Sequence, residues 1–297
     1  MSPSVLETLR EAGRVAAAAR DMGARLIVPG ASLREVCEAA EHEIRRRGAA
    51  IAFPAQSSRN HVAAHYCPSP EDQTVYAEGD LAKLDIGVHI DGYVVDTALT
   101  VNVGDRPEGR RLVEAAGAAL EAAIAAAGPG VRVRRVSAAI EATLRRYELR
   151  PMRNLCGHHV GRWTVHCPPP IPNVPEESED RLVVGAVLAI EPFATDGLGL
   201  VAEEGAPEVF RLPPGPRNGS GLEPGILAAL EARNGLPFAR RDLAGFPRSL
   251  VEETLAALLA RGRLSAYAPL VESSGRAVAQ AEHTLYVGSE GVEVLTR

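Results

Sequence analysis

Between Leu84 and Val101 the chain reads LDIGVHIDGYVVDTALTV, with apolar or β-branched residues on both sides of the pair Asp91-Gly92. That pattern predicts a β-hairpin with a two-residue turn. With Asp91 and Gly92 in the turn, Ile90 pairs with Tyr93, Gly87 faces Asp96, and Ala98 faces Asp85. Directly opposed residues share a face, as do residues i and i+2 along a strand, so both carboxylates leave one face as diagonal neighbours roughly 7–8 Å apart. Leu84, Ile86, Val95, Thr97 and Leu99 cover the other face. A single strand carboxylate is commonly a solvated residue. Two of them, on a face otherwise holding Gly and Ala, point to a site, because converging half-buried anions repel unless a cation or a shared proton compensates.

Helical periodicity shows an internal repeat. VPGASLREVCEAAEHEIRRRG from Val28 and GPGVRVRRVSAAIEATLRRYE from Gly128 align at an offset of 100, matching Pro29 with Pro129, Gly30 with Gly130 and Arg34 with Arg134. Each places apolar residues at helical spacing after a Pro-Gly loop: Leu33, Val36, Ala40 and Ile44 in the first, and Val136, Ile140, Leu144 and Tyr147 in the second. Ser32 with Glu35 resembles a capping box. The match continues through HYCPSP and VHCPPP, and then aligns Gly79 with Gly185 and Asp85 with Glu191. Two copies of one helix, loop and strand unit are expected, with equivalent residues meeting in a central cleft.

Val187, Ala189 and Glu191 share one face of a further apolar strand in AVLAIEP, and Glu282 lies inside a strand pattern in VAQAEHTLYV. Between these acids run GLEPGILAALEARNGLPF and FPRSLVEETLAALLARGRL, with several helical patterns and a strand signal from Leu264. An acid in an apolar strand is costly without a partner, which makes both glutamates site candidates.

At 297 residues and 46% hydrophobic, the chain can bury a large core as one large domain or two ordinary ones. The formal charge of -6 carries no basic footprint, which argues against a nucleic-acid partner; Arg45-Arg46-Arg47 reads as a solvated helix end. No signal-peptide pattern opens the chain and no apolar run approaches membrane length, so a soluble cytoplasmic protein without a membrane partner is expected. Cys37, Cys67, Cys156 and Cys167 have neither zinc-ribbon nor disulfide-scaffold spacing, which suits a reducing compartment.

CGHHVGRWTVHCPPP adds His158, His159 and His166. On a strand only one of the adjacent pair can enter a given site, and Gly157 and Gly161 allow close backbone approach. Two Asp, two Glu and one His make a carboxylate-rich set suited to divalent Mn, Fe, Co or Zn. It is larger than one ion needs, so a pair of ions about 3.5–4 Å apart is expected.

LDIGVHIDGYVVDTA, GHHVGRWTVH, AIEPF and AQAEHT, in this order, resemble the metal-binding set of the methionine aminopeptidases within the pita-bread metallopeptidases. The resemblance covers nearly the whole chain. It implies metal ligands Asp85, Asp96, His158, Glu191 and Glu282, and catalytic histidines at His65 in NHVAAHYCPSP and His166 in WTVH. Phe53, Val165 and Tyr267 match positions lining a methionine pocket, beside His65 and His166. The implied fold is α/β (α+β): pseudo-twofold repeated halves forming a curved antiparallel sheet covered by helices, plus a winged-helix-like helical insertion. The catalytic domain would span 1–204 and 265–297, and the insertion 205–264 would mark the compact, archaeal-like type 2 form.

The implied activity is release of the N-terminal methionine from nascent polypeptides, with a small second residue preferred. Two divalent ions would activate a bridging hydroxide, with Glu191 as ligand and proton shuttle. The implied setting is a cytoplasmic monomer working near the ribosome. Two departures stand out: His159 occupies the place of a small polar residue, and Cys167-Pro168 follows His166 where Ala-Gly is common. Prolidase or aminopeptidase P is the enzymatic rival. Non-catalytic pita-bread proteins, which have lost ligands, are the rival from another class.

Overall fold

The computed structural model describes residues 1–215 and 222–297. Leu81–Ile90 and Tyr93–Asn102 pair antiparallel with Ile90 opposite Tyr93, Gly87 opposite Asp96 and Ala98 opposite Asp85, the register set by the turn. Asp91 and Gly92 both adopt positive φ, 52° and 82°, as the tight turn between right-twisted strands requires.

This hairpin belongs to an eight-stranded sheet. Its order is Ala50–Arg59, Leu81–Ile90, Tyr93–Asn102, Glu282–Val287, Val187–Ile190, Cys156–Gly161 and Thr164–Pro172, with Val292–Val294 added to the Glu282 strand. Every pairing is antiparallel, and the sheet curls into a half-barrel. Helices α1 (Pro3–Leu26) and α2 (Leu33–Arg46) cover the first half, and α3 (Pro107–Ala126) and α4 (Val133–Arg146) the second. Helix α2 buries Leu33, Val36, Cys37, Ala40, Glu41 and Ile44, while α4 buries Val133, Val136, Ser137, Ile140 and Leu144. These are the faces expected from the spacing. Ser32 caps α2 by accepting the Glu35 N–H at 3.4 Å. The two helix pairs feed two buried clusters, one around Leu84 and Ile86 and one around Leu188 and Ile190.

The repeat extends to loop geometry. Gly30 and Gly130 sit at φ 85° and 75°, and their N–H groups donate to the carbonyls of Tyr76 and Leu182. Gly79 and Gly185 sit at 89° and 90°. The halves differ in how their central strands are joined. In the first half two turn residues connect Ile90 to Tyr93. In the second, Val187–Ile190 and Glu282–Val287 pair directly but are linked through everything between them.

That connection rises on a stem of Val201–Glu203 and Leu270–Glu272. It carries α5 (Pro224–Glu231), a 3₁₀ turn at Arg240–Leu243 and α6 (Arg248–Ala260). Alongside them stands a three-stranded sheet of Phe238–Ala239, Val209–Arg211 and Ser265–Tyr267. Phe210, Ile226, Leu230, Phe238, Val251, Leu255 and Leu258 form its own core. The segment is therefore less helical than its periodicity suggests, because strands of two or three residues are too short to show a period of two. Residues 216–221 of the expected 205–264 insertion lie outside the described residues. Among the described residues no helix is long and apolar enough to cross a membrane.

Candidate metal centre

The sheet register arranges the predicted ligands in two rows. Ala98 pairs with Asp85 on one side and Glu282 on the other, so two carboxylates flank a methyl group across three strands. In the next row Asp96 lies opposite Gly87, and Ala189 pairs with both Thr284 and His158. Side-chain alternation puts these ligands on one face, and Glu191 joins them two residues beyond Ala189. Gly87, Ala98 and Ala189 leave room between them. Two threonines on the same face pin the rows. Thr284 Oγ1 accepts the Asp96 N–H and donates to the Asp96 carbonyl, both at 2.7 Å, and Thr100 makes the same two-way link to the Gln280 backbone, also at 2.7 Å.

Asp96, His158 and Glu282 each bring one ligand atom within 4.8 Å of the others. His158 Nε2 lies 3.5 Å from Asp96 Oδ2 and 3.7 Å from Glu191 Oε1. Gln280 Nε2 stands 3.5 Å from both Glu191 Oε2 and Glu282 Oε2. Asp85 falls outside the tightest group, on the far side of Asp96. Asp85 Oδ1, Asp96 Oδ1 and Glu282 Oε1 are buried without any hydrogen-bond partner. Glu282 opens its strand after a break at Ala281 instead of lying within one continuous strand.

Burial first, and then Asp96, pushes the carboxyls of Asp85 and Glu191 well up; burial followed by Asp96, Glu191 and Asp85 does the same for Glu282. Asp96 itself is pushed up to about 8 by burial. His158 is pushed down to about 4, again by burial, and is neutral at neutral pH. Among the described residues no Lys or Arg pairs with these carboxylates. Carboxylates with buried, unpartnered oxygens beside a neutral imidazole form a donor set whose chemistry fits hard or borderline divalent ions.

A cavity of about 500 Å³ opens over this floor, and Phe53, His65, Val165, His166 and Tyr267 all line it. The His158 and His166 rings meet edge to face at 4.2 Å, and His65 meets Tyr267 at 6.1 Å. Burial pushes His65 down to about 4 and, helped by His158 and Arg211, His166 down to about 3. His65 sits at φ 66°, a strained conformation for a non-glycine residue. Phe53 and Val165 share a buried apolar cluster with Ala52, Val94 and Leu236. His159 turns away, as alternation requires, with its Nδ1 2.8 Å from the Pro169 carbonyl, whereas Cys167 and Pro168 do line the cavity.

Several lining or supporting residues escape the sequence reading, among them Gln280, Gln56 and Arg211. Gln280 lies two residues before Glu282 and was accessible from the period of two. Gln56 stands opposite Asp85, but a register shift between Phe53 and Gln56 hides it. Arg211 reaches the cavity from the inserted segment, where nothing in the pattern marks it.

Residues 7–233 match the profile of metallopeptidase family M24. The chain belongs to metallopeptidase family M24. Over 298 residues this M24 chain is 41% identical to a methionine aminopeptidase of Archaeoglobus fulgidus, covering 100% of each. Its fold is shared with a crystal structure of methionine aminopeptidase from Thermotoga maritima, at TM-score 0.74 and 24% identity over 100% of this chain and 98% of that one. Prolidase from Pyrococcus furiosus aligns at TM-score 0.65 and 19% identity, over 100% of this chain and 64% of the prolidase. The M24 chain therefore matches the aminopeptidase along its length and only part of the prolidase.

Proposed function

We propose that the chain is a metal-dependent aminopeptidase that releases the N-terminal methionine of polypeptides, with Asp85, Asp96, His158, Glu191 and Glu282 holding two divalent ions. The observation that carries this reading is the set of four carboxylates, Asp96 and Glu282 buried and Asp85 and Glu191 half-buried, with one buried, neutral histidine, beneath a cavity with an apolar wall, in a chain 41% identical to a named methionine aminopeptidase. When bound, such ions lower the pKa of water and polarise a carbonyl oxygen.

The remaining steps belong to side chains. A free terminal amine would be held at the ions these residues bind, which would restrict action to the first peptide bond. Neutral His65 and His166 donate hydrogen bonds to the scissile amide and to the charge that develops on its oxygen, a contribution often worth ~2.7–4 kcal/mol per donor. Glu191 carries a proton to the leaving amine. Phe53, Val165 and Tyr267 form the methionine pocket, and the crowded wall of His166, Cys167 and Pro168 restricts the second residue to small types. In this reading residues 205–264 are the insertion of a compact type 2 enzyme. The chain acts as a cytoplasmic monomer on nascent chains near the ribosome.

The test is methionine release from Met-Ala-Ser by metal-stripped protein titrated with Mn, Fe, Co and Zn, with Asp96→Asn and an X-Pro dipeptide as controls. Metal-dependent release is expected, with a loss of at least about a hundredfold in the variant. Cleavage of the X-Pro peptide instead would move the reading to prolidase, and a folded protein inert with every metal would remove it.

A further inference from the structure

The cavity contains one charged group that the proposed chemistry does not use. Val209–Arg211 alternates so that Phe210 enters the core of the inserted segment while Val209 and Arg211 face the other way, into the cavity. Among the described lining residues Arg211 is the sole Lys or Arg, and the carboxylates there are the four proposed ligands, Asp85, Asp96, Glu191 and Glu282. Its Nε donates to the Gly235 carbonyl at 2.8 Å, which fixes the guanidinium without consuming its outer N–H groups. No carboxylate of the described residues pairs with it, and the stretch Pro216 to Gly221 contains no acid. The side chain is half-buried, whereas Asp96 and Glu282 on the floor are buried, so the cation stands nearer solvent than those two acids.

The cavity thus holds the proposed ligand carboxyls at its floor and one uncompensated cation nearer solvent. A peptide entering amine-first at that floor brings any anionic group further along its chain toward the cation. An anchored guanidinium with free donors, standing over an apolar wall, is suited to a two-pronged carboxylate contact.

Resting on the aminopeptidase reading above, we propose that Arg211 forms a carboxylate subsite, so that substrates bearing a carboxylate downstream of the scissile bond bind more tightly. The carboxylate can be an acidic side chain near the start of a polypeptide or the terminal carboxylate of a short peptide. A solvated arginine with no ligand is the bland alternative, and it predicts no discrimination.

The two are separated by calorimetry on the full-length, manganese-loaded protein with cleavage-resistant peptides built on Met-(N-methyl)Ala. The arms are a neutral Ser amide, a Ser free acid and a Glu amide, each with wild type, Arg211→Gln and Arg211→Lys. Wild type is expected to bind at least one carboxylate peptide about five- to tenfold more tightly than the neutral one, with the arm that gains naming the source. Arg211→Gln should bring the three within about twofold of one another, and Arg211→Lys should keep part of the preference, as a point charge without the fork does. Equal binding of all three by wild type, or a preference that survives in Arg211→Gln, overturns the proposal. Because no turnover is needed, a protein that shows the preference yet releases no methionine would retain the subsite and lose the aminopeptidase reading.

Discussion

Asp96 holds the centre of the site because its carboxylate serves both rows: it faces Asp85 diagonally across the hairpin and reaches His158 at 3.5 Å across the neighbouring strands. Burial with no compensating charge pushes it up to about 8, so without metal it keeps its proton at neutral pH. A divalent ion has to displace that proton. The sign follows: below the raised pKa, metal affinity increases with pH, by up to about tenfold per pH unit for each proton displaced. Metal titrations at pH 6, 7 and 8 should show this rise, and calorimetry in buffers of different ionisation enthalpy should show protons released on binding. An affinity flat across this range would mean that the carboxylates are already ionised and the site differently compensated. His65 and His166, pushed down by burial, work in the other sense: both are neutral throughout this window and add no slope of their own.

At the scale of the elements, small residues set the spacing. A Cβ on Gly87 would stand 2.3 Å from the Phe53 ring, so the ring lies flat over the strand that faces Asp96. Gly87→Ala should displace Phe53 from the cavity wall, raising KM for methionine peptides about tenfold with little change in kcat and costing about 1–3 kcal/mol of stability. A loss confined to kcat, measured with Met-Ala-Ser, would place Phe53 outside the methionine pocket. Much of this arrangement was legible in the sequence. Asp91-Gly92 fixed the hairpin register, the period of two then put Asp85 and Asp96 on one face, and the repeat of the Pro-Gly loops predicted two equivalent halves. What resisted reading has physical causes. The irregular pairing between Phe53 and Gln56 changes which side chains face inward, the break at Ala281 splits a strand that looked continuous, and the short strands of the inserted segment owe their order to its own core rather than to any local pattern.

For the whole molecule, the question is how that inserted segment is held over the cleft, since it supplies Val209, Arg211 and Pro237 to the cavity but is joined to the sheet by a two-stranded stem. Arg241, in its 3₁₀ turn, answers this. Its guanidinium pairs with Glu41 of α2 and donates to the carbonyls of Ala55 at 3.0 Å and Pro68 at 3.2 Å, and both charged side chains are more than nine-tenths buried. Glu41 in turn accepts the Ala55 N–H at 2.9 Å, so one buried pair ties the segment to a helix and to the first strand of the sheet. Removing one partner of a buried pair leaves the other charged without compensation, which costs about 3–5 kcal/mol, whereas replacing both is far milder. Arg241→Met should therefore lower stability by about that amount, and the double variant Glu41→Gln with Arg241→Met should recover much of it. Function should divide along the same line. Metal affinity depends on the sheet and should stay within about twofold of wild type, while KM for Met-Ala-Ser should rise in both variants because the wall carrying Val209 and Pro237 is no longer pinned. If metal affinity fell as far as peptide affinity, the segment would be a structural part of the metal centre itself, and its separate core would be no guide to its role.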